Sequence, residues 1–381
     1  MNIIHVFPIW SISKGGGTTS LIYEIAKKQS KNNKVTILTG SYGIDNDLLD
    51  STRKYGINII VSKSYLNRLG LFFMPKILIE TPALIRKSDI IHLHLYRSFQ
   101  NLVLILLAKF YKKPCIIDAH GSIPYHHIKT LKKRIFDFLF KSIILNNVSQ
   151  FLAENELSKE ECLGLGVSRN KIRIINPPFA VDEFKRVKNL NILENTYKIK
   201  SKYKILYFGR LHYIKGIDLS IKGFYELKKI RSDIHFVIMG TDDGFKSQIL
   251  QLIDQLSLKN SITLIGFKKD KEKLSIIKES TLSIQTSRYE QGAGAPFESV
   301  LTGTPILVSD NSGCAEDVIR HDAGYICKFN DAFDFSQKAD FILNNLNLAN
   351  KKTIKASQKI KKFQSFNAAN EEYLKCYKEQ V

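Results

Sequence analysis

The feature that most limits the fold of this chain is a repeated alternation of short apolar runs with longer helical patterns. Between the apolar runs lie amphipathic stretches such as TSLIYEIAKKQ and NLVLILLAKFY. This alternation predicts parallel strands, because the helix carries the chain back to the edge of the sheet where the previous strand began. The apolar runs of the first half are NIIHVF, KVTILT, DIIHLHL and PCIIDAH.

The same rhythm starts again after a polar segment at residues 185–201. At 381 residues the chain is too long for one hydrophobic core of ordinary size. We therefore expect an α/β protein with two domains, at residues 1–185 and 196–361. The terminal segment FNAANEEYLKCYKEQV predicts an amphipathic helix that need not belong to the domain before it. The second series of apolar runs is YKILYFG, IHFVIMG, SITLIGF, STLSIQT and TPILVSD.

The composition is that of a folded protein, with 44% apolar and 24% charged residues. The five cysteines lack any two-residue spacing, so neither a disulfide framework nor a zinc site is predicted. The beginning of the sequence does not resemble a signal peptide, and the longest apolar runs are far shorter than the roughly 18 residues of a membrane span. We expect a cytoplasmic protein, with the inner face of the cytoplasmic membrane as a further location.

The formal net charge of +21 is larger in residues 1–180 than in the rest of the chain and suggests an anionic partner. Membrane surfaces, phosphorylated substrates and nucleic acid are all candidates. Residues 129–144 combine a basic face with an aromatic and aliphatic face, which is typical of a helix that lies on an anionic membrane. A buried helix with a solvated charged edge has the same pattern. No nucleic-acid-binding module is recognisable, which argues against nucleic acid.

Two cations follow the first strand of the second domain, in the segment FGRLHYIKGID. Arg210 offers a rigid fork of donors and Lys215 a compact charge, and both stand at the carboxyl end of a strand. Ligands of open α/β sheets bind at such ends, so the pair predicts a diphosphate site. A solvated surface position is the alternative for either residue.

Two carboxylates flank a glycine-rich turn in the segment SRYEQGAGAPFES. Pro296 predicts a helix over residues 296–302 with Glu298 in its first turn, whereas Glu290 precedes the turn. The glycines leave backbone N–H groups free for phosphate or hydroxyl groups, and each carboxylate can accept from a hydroxyl. The segment thus suits a phosphorylated, polyhydroxylated ligand, although a capping acid and a surface acid would look the same.

Two motifs of the first domain are weaker. Residues 15–17 form a glycine triplet between the first strand and its helix, which suits a phosphate or sugar hydroxyl or serves only the turn. His120 follows the strand PCII and is either a ligand-binding residue at the strand end or an ordinary structural histidine. Nearby His126 and His127 have no partners at metal-ligand spacing, so no metal site is predicted.

In this order and at these separations, the motifs resemble the retaining, nucleotide-sugar-dependent glycosyltransferases of the GT-B fold, family 4. The resemblance covers nearly the whole chain. Besides the glycine triplet, the cation pair and the two glutamates, the matching stretches are DIIHLH, DAHGS, GVSRNKIRIINPPFAVDEF and LIGFKKDKEKL.

The resemblance implies two Rossmann-like domains facing a cleft, with residues 362–381 crossing back to the first domain. It assigns Arg210 and Lys215 to the diphosphate, Glu298 to the ribose, and the backbone of Phe267 and Lys268 to the base. The transferred sugar is assigned to Glu290 and to His120 of the first domain. The remaining donor-binding residues are Gly16, Gly17, Gly292, Ala293, Gly294 and Ala295.

The implied reaction moves a hexose from a nucleotide diphosphate sugar to a glycan or lipid-linked acceptor, in cell-surface polysaccharide biosynthesis such as that of lipopolysaccharide. His120, Arg210, Lys215 and Glu290 are the implied catalytic residues. Neither a metal nor a cofactor is expected, because fixed cations can stabilise the departing diphosphate. In the resemblance the departing phosphate deprotonates the acceptor, so the configuration is retained.

This sequence departs from the family pattern at two places. Gln291 stands where the family usually has a glycine after the first glutamate, and the proline comes one residue later than usual. Asp118 stands where a neutral residue is common, and either orients His120 or contacts the acceptor. The competing functions are an epimerase or phosphorylase of the same fold, or a basic nucleic-acid-binding protein.

Overall fold

A computed structural model of the chain describes residues 1–65, 72–124, 130–184, 186–292 and 294–381, with only the backbone of residue 130. The chain forms two compact units. Unit 1 comprises Met1–Pro178 together with Phe366–Val381, and unit 2 comprises Phe179–Ser365. The sequence placed these divisions at residues 185 and 361, a few residues away.

Unit 1 contains a parallel sheet of seven strands among its described residues, in the order β3-β2-β1-β4-β5-β6-β7. The strands are β1 Asn2–Val6, β2 Lys34–Gly40, β3 Asn58–Ser62, β4 Ile90–His94, β5 Cys115–Asp118, β6 Gln150–Ala153 and β7 Ile172–Ile174. The helices between them are α1 Ile12–Gln29, α2 Asn46–Arg53, α3 Ile77–Glu80, α4 Pro82–Lys87, α5 Phe99–Phe110, α6 Thr130–Asn147 and α7 Glu156–Leu165.

Unit 2 repeats this plan with six described strands in the order β10-β9-β8-β11-β12-β13. The strands are β8 Tyr203–Phe208, β9 Ile234–Met239, β10 Ile262–Gly266, β11 Leu282–Gln285, β12 Ile306–Ser309 and β13 Tyr325–Cys327. The helices are α8 Ile192–Asn195, α9 Ile217–Ile230, α10 Lys246–Gln255, α11 Asp270–Glu279, α12 Gly294–Thr302, α13 Gly313–His321, α14 Ala332–Asn344 and α15 Leu346–Phe363.

The last helix, α16 (Phe366–Lys378), returns to unit 1 and packs beside α1. Its Ala369, Tyr373, Cys376 and Tyr377 are buried in a cluster with Ile3, Ile90 and Ile116, which lie on one face of the unit 1 sheet. The prediction of two parallel-sheet α/β domains with a returning terminal helix is confirmed. None of the helices in the described part of the chain is long and apolar enough to cross a membrane.

Both sheets have the strand order of the Rossmann fold, in which the order reverses beside the first strand of the sheet. The reversal lies between β1 and β4 in unit 1 and between β8 and β11 in unit 2. The loops that leave these strands run in opposite directions and open a crevice at the carboxyl ends. Each unit therefore has one position where its own sequence can build a ligand site.

Close packing at the ends of β8 and β9 depends on glycine. A Cβ atom on Gly240 would lie 1.7 Å from the carbonyl oxygen of Gly209, so the two strand ends approach more closely than any larger residue permits. Gly244, a few residues later, has a φ of +85° but open space around it. Its requirement for glycine is conformational only.

These two glycines give a matched test of the packing. Gly240→Ala should lower the free energy of unfolding by about 1–3 kcal/mol or more, because the new methyl group overlaps a backbone carbonyl that cannot rotate away. Gly244→Ala should lower it by about 1 kcal/mol, the cost of a left-handed φ. Urea denaturation of both variants measures the difference, and equal losses would contradict the packing argument.

Candidate active site

The candidate site of unit 2 is built from two loops at the reversal point of its sheet. One loop, residues 209–216, leaves β8, and the other, residues 286–292, leaves the neighbouring strand β11. Gly216 joins them, since its carbonyl accepts a hydrogen bond from Thr286 Oγ1 at 2.8 Å. A Cβ atom on Gly216 would lie only 1.9 Å from the Thr286 carbonyl oxygen. The two loops are therefore held as one surface.

Lys215 and Glu290, one from each loop, form an ion pair with Lys215 Nζ 2.5 Å from Glu290 Oε2. The same carboxylate oxygen accepts from Ser287 Oγ at 3.2 Å and from Gln285 Nε2 at 3.4 Å. The Lys215 and Glu290 side chains are 18% and 23% exposed, so the pair is sheltered and still reachable by a ligand. Two of the predicted site residues are thus brought together at the carboxyl ends of adjacent strands.

Arg210 is placed differently from Lys215. Its guanidinium is 63% exposed and pairs with Asp243, with Nη1 2.5 Å from Oδ2. Its backbone carbonyl accepts a hydrogen bond from Tyr207 Oη at 3.0 Å. The backbone is therefore anchored while the charged group stands in solvent, held by one carboxylate that a ligand anion can replace.

The predicted start of the helix after the glycine turn is wrong. Helix α12 begins at Gly294 rather than Pro296, and its first turn contains no acidic residue. Proline is tolerated at the third helical position because the first N–H groups of a helix have no partner within it. Glu298 consequently lies one turn further along, where Lys273 Nζ of α11 is 2.6 Å from its Oε2.

The remaining donor-site predictions of unit 2 lie on or near this loop. Gly292 is half-buried in the turn, and Ala293 lies outside the described residues. Gly294 opens α12 with open space around it, and Ala295 packs against the core cluster that includes Ile276 and Ile277. Phe267 is 66% exposed after Gly266, where φ is +69°, so the backbone beyond β10 is accessible.

In unit 1 the glycine triplet lies at a kink in α1, between a short first helical segment and the longer helix that follows, as its position between strand and helix predicted. Gly16 has a φ of +59° and a ψ of −143°, a conformation open to glycine alone, and it interrupts the helix there. Gly16 and Gly17 are exposed, and a side chain at either would meet no neighbour. Their backbone groups are thus open to solvent close to the carboxyl end of β1.

His120 lies in a left-handed turn, with a φ of +45°, directly after β5. Its Nε2 is 2.9 Å from His94 Nδ1, and its Nδ1 is 3.2 Å from Glu154 Oε1 and 3.3 Å from Asp118 Oδ1. Burial opposes the charged ring, but the Asp118 and Glu154 carboxylates outweigh it and raise the pKa of His120. Of the two alternatives for Asp118, this geometry supports orientation of His120.

Several side chains around His120 were not singled out in the sequence. His94 Nε2 is 3.0 Å from His5 Nδ1, and Gln29 Oε1 is 2.8 Å from His5 Nε2. Burial lowers the pKa of His5 to about 4, although Gln29 acts in the opposite direction. A signal was available, because alternate residues of a strand share a face and the stretch IIHLH therefore places two histidines side by side.

Two groups of side chains have the donor atoms that a metal ion requires. The first group is His5, His92 and His94, and the second is His94, Asp118 and His120. In each group the three ligand atoms lie within 4.8 Å of one another. Their closest contacts are 2.9–3.0 Å between ring nitrogens, the distance of a shared hydrogen. The geometry observed is therefore that of a hydrogen-bonded network.

Two Rossmann-type sheets define a GT-B type α/β protein, and in the second a cation and a carboxylate are joined at the reversal point, where open α/β sheets bind ligands. Two family models match the chain: "Glycosyl transferases group 1" over residues 191–360 and "Glycosyltransferase Family 4" over residues 15–183. The chain belongs to the family 4 glycosyltransferases of the GT-B fold, as the motifs predicted.

Individual relatives are distant. The 2-deoxystreptamine N-acetyl-D-glucosaminyltransferase of Niallia circulans is 25% identical over 66% of this chain and 65% of its own length, so the match spans just under two thirds of that protein. The N,N'-diacetylbacillosaminyl-diphospho-undecaprenol alpha-1,3-N-acetylgalactosaminyltransferase of Campylobacter jejuni is 24% identical over 85% of this chain and 86% of its own length. The crystal structure of Anabaena HepE in complex with UDP has a TM-score of 0.81 at 14% identity over the full length of both chains.

The two cations of the site should differ in their effect on stability. Lys215→Met leaves the sheltered Glu290 carboxylate without its charged partner and should lower the free energy of unfolding by about 1–3 kcal/mol. Arg210→Met breaks an exposed pair and should change it by less than about 1 kcal/mol. Urea denaturation without ligand measures both, and a larger loss for Arg210→Met would refute the contrast.

Proposed function

We propose that the protein is a retaining hexosyltransferase that uses a nucleotide diphosphate sugar as donor. The observation that carries the proposal is the ion pair of Lys215 and Glu290 at the reversal point of the unit 2 sheet. One member suits a phosphate oxygen and the other suits a sugar hydroxyl, so the pair joins the two chemical halves of such a donor.

When the donor binds, Lys215 and Arg210 exchange their carboxylate partners for the diphosphate, and no new site has to form. The diphosphate oxygens take over Lys215 from Glu290 and Arg210 from Asp243, whose contacts are 2.5 Å each. Glu290 keeps its hydrogen bonds from Ser287 and Gln285 and turns its other oxygen to a sugar hydroxyl. The ligand thus meets charges that are already held in place, which lowers the reorganisation required for binding.

The rest of the donor lies along the same loop and helix in this proposal. Glu298, held by Lys273, accepts from the ribose hydroxyls. The exposed backbone at Phe267 and Lys268 contacts the base, and the backbone N–H groups from Gly292 to Ala295 contact the sugar. His120 of unit 1 is assigned to the sugar by the resemblance.

In the proposed reaction, the bond between the anomeric carbon and the diphosphate oxygen breaks, and the acceptor oxygen bonds to that carbon on the same face. The acceptor proton passes to the departing phosphate, so the configuration is retained. Lys215 and Arg210 stabilise the negative charge that grows on the diphosphate. These cations supply the charge without a divalent ion or a further cofactor.

The comparisons support this choice of substrates. HepE has been crystallised with UDP and with UDP-glucose. The name of the Campylobacter jejuni relative describes transfer to a sugar on an undecaprenol diphosphate. We propose a glycan or lipid-linked acceptor of the same general kind, in the synthesis of a cell-surface polysaccharide or lipopolysaccharide.

The donor can be identified by thermal shift with a panel of nucleotide sugars and then by nucleotide release in the presence of acceptor. Glu290→Gln and Lys215→Met should reduce turnover about 100- to 1000-fold, because each removes a charged contact at the reacting centre. Lys229→Met, which breaks an exposed pair on α9, is the matched control and should retain full turnover. Undiminished turnover in both site variants would refute the assignment.

The configuration of the product separates the proposed transferase from its alternatives. Proton NMR of the glycoside should show the anomeric configuration of the donor sugar. A product with no acceptor attached would indicate an epimerase, and a sugar phosphate formed from added phosphate would indicate a phosphorylase.

Helix α6 supports a contact of unit 1 with an anionic membrane. Leu131, Ile135, Phe138 and Leu139, spaced as one helical face, are all exposed, and Phe138 is 89% exposed. Phe136 and Ile144 are buried, so the helix also has the apolar face that packs on the core. Lys132 and Arg134 flank the exposed apolar row, as in helices that lie in a membrane interface. Lys129, the first residue of the predicted segment, lies outside the described residues.

Liposome flotation tests this contact. The protein should float with vesicles containing anionic phospholipid and much less with zwitterionic vesicles. Lys132→Glu with Arg134→Glu, and separately Phe138→Ser, should each reduce flotation several-fold. Lys355→Glu with Lys359→Glu, the same change of charge on exposed positions of α15, should float like the unchanged protein. Equal flotation of all variants would exclude α6 as the contact.

A further inference from the structure

We propose that a buried chain of hydrogen bonds from Gln29 through His5 and His94 holds a second proton on His120, so that His120 is an imidazolium cation at neutral pH. Gln29, His5 and His94 then act as positioning residues through His120. The inference rests on the proposed function only for its kinetic consequence. The protonation state itself belongs to unit 1 and requires no ligand.

The chain runs in one line along the face of the sheet that α1 and α16 cover. The three contacts are 2.8 Å from Gln29 Oε1 to His5 Nε2, 3.0 Å from His5 Nδ1 to His94 Nε2, and 2.9 Å from His94 Nδ1 to His120 Nε2. His5 and His94 are 0% and 3% exposed. Each ring nitrogen of His5 and His94 has a single partner in the chain.

The direction of the chain follows from its buried end. An amide oxygen can only accept, so His5 donates from Nε2 and, being neutral, accepts at Nδ1. His94 therefore donates from Nε2 and accepts at Nδ1, which leaves His120 to donate from Nε2. Burial keeps both inner rings neutral, because it lowers the pKa of His5 to about 4 and that of His94 well below its usual value.

The Gln29 amide also contacts helix α16. Its Nε2 donates to Tyr377 Oη at 3.4 Å, and Tyr377 Oη lies 2.7 Å from His92 Nδ1. With Oε1 toward His5 and Nε2 toward Tyr377, both ends of the amide have a partner.

At the other end of the chain, carboxylates face the second nitrogen of His120. Glu154 Oε1 and Asp118 Oδ1 lie 3.2 Å and 3.3 Å from Nδ1, and a carboxylate can only accept. Nδ1 therefore also carries a hydrogen. With Nε2 donating to His94 and Nδ1 donating to Glu154, the ring has both protons, and the Asp118 carboxylate lies beside the charged ring.

The balance of charge leads to the same state independently. Asp118 is fully buried, and burial raises its pKa to about 6 although the charge of His120 acts to lower it. The other groups that face these carboxylates are neutral: Tyr373, which donates to Asp118 Oδ2 at 3.3 Å, and the thiol of Cys162. His120 is the cation that compensates them among the described residues.

An imidazolium ring has no free lone pair, so His120 cannot act as a general base. Its charge holds Asp118 and Glu154 together and fixes the left-handed turn at residues 120 and 121, where φ is +45° and +72°. The part of His120 that a ligand can meet without breaking the chain is its backbone. His94 acts on the site by keeping this turn in place.

Histidine-selective ¹⁵N labelling of the full-length protein tests the protonation state without any substrate. Long-range ¹H–¹⁵N correlation distinguishes an imidazolium from each neutral tautomer, and His120→Gln identifies the signals of His120. We expect an imidazolium at pH 7 that loses a proton only as the pH rises through its raised pKa. A single neutral tautomer of His120 at pH 7 would overturn the proposal.

Two pairs of variants test the chain itself. His94→Leu should move the His120 titration about 1–2 units lower, since the charged ring loses a buried acceptor. His235→Leu, which removes a half-buried histidine of β9 in unit 2, is the control and should leave it unchanged. Gln29→Glu keeps an acceptor at the buried end and should retain the imidazolium, whereas Gln29→Leu should lower the titration. An unchanged titration in both folded His94→Leu and folded Gln29→Leu would refute the chain.

The kinetic consequence is measured separately. With the donor found by the panel, His94→Leu should lower kcat about tenfold or more at pH 7 and leave the donor KM little changed, as expected when a supporting contact is lost. His235→Leu of unit 2 should keep the original kcat. If the unchanged protein turns over no donor, the proposed function fails while the NMR result still decides the protonation state.

Discussion

The strand order of the two parallel sheets is the constraint on which the rest of the structure depends. It makes β8 and β11 neighbours, although many residues separate them in sequence, and it sends their outgoing loops in opposite directions. Lys215 and Glu290 meet only because of this order. The hydrogen bond from Thr286 to Gly216 then converts two separate loops into one surface, which a side chain at position 216 would prevent.

The terminal helix has the corresponding role in unit 1. One face of the unit 1 sheet carries His5, His92, His94 and Asp118. A helix with only apolar side chains could not cover this face, because buried polar groups need hydrogen-bond partners. Helix α16 supplies Tyr373 and Tyr377, whose hydroxyl groups reach Asp118 and His92. The same helix buries Ala369 and Cys376 in the apolar cluster, so it contributes both to the core and to the polar network.

Much of the fold and part of the candidate site could be predicted from local sequence patterns. Strand and helix alternation is a property of neighbouring residues, and so is the position of a charged group at the end of a strand. The start of α12 could not be predicted from Pro296, because proline marks a region of the first turn and not one position. Arg210 and Lys215 looked equivalent in the sequence. In the structure Arg210 pairs with Asp243 at an exposed position, whereas Lys215 pairs with Glu290 at a mostly buried one.

By itself, the sequence determined the fold class, the family and the segments from which the candidate site is built, because apolar periodicity and motif spacing are short-range properties. Only the tertiary structure decided which charges meet and which histidines contact one another. Those depend on distances between strands that are remote in the chain, and on burial that no local pattern records. His120 shows the difference: its position was visible in DAHGS, but its partners His94 and Glu154 come from β4 and from the loop after β6, and Glu154 was not singled out at all.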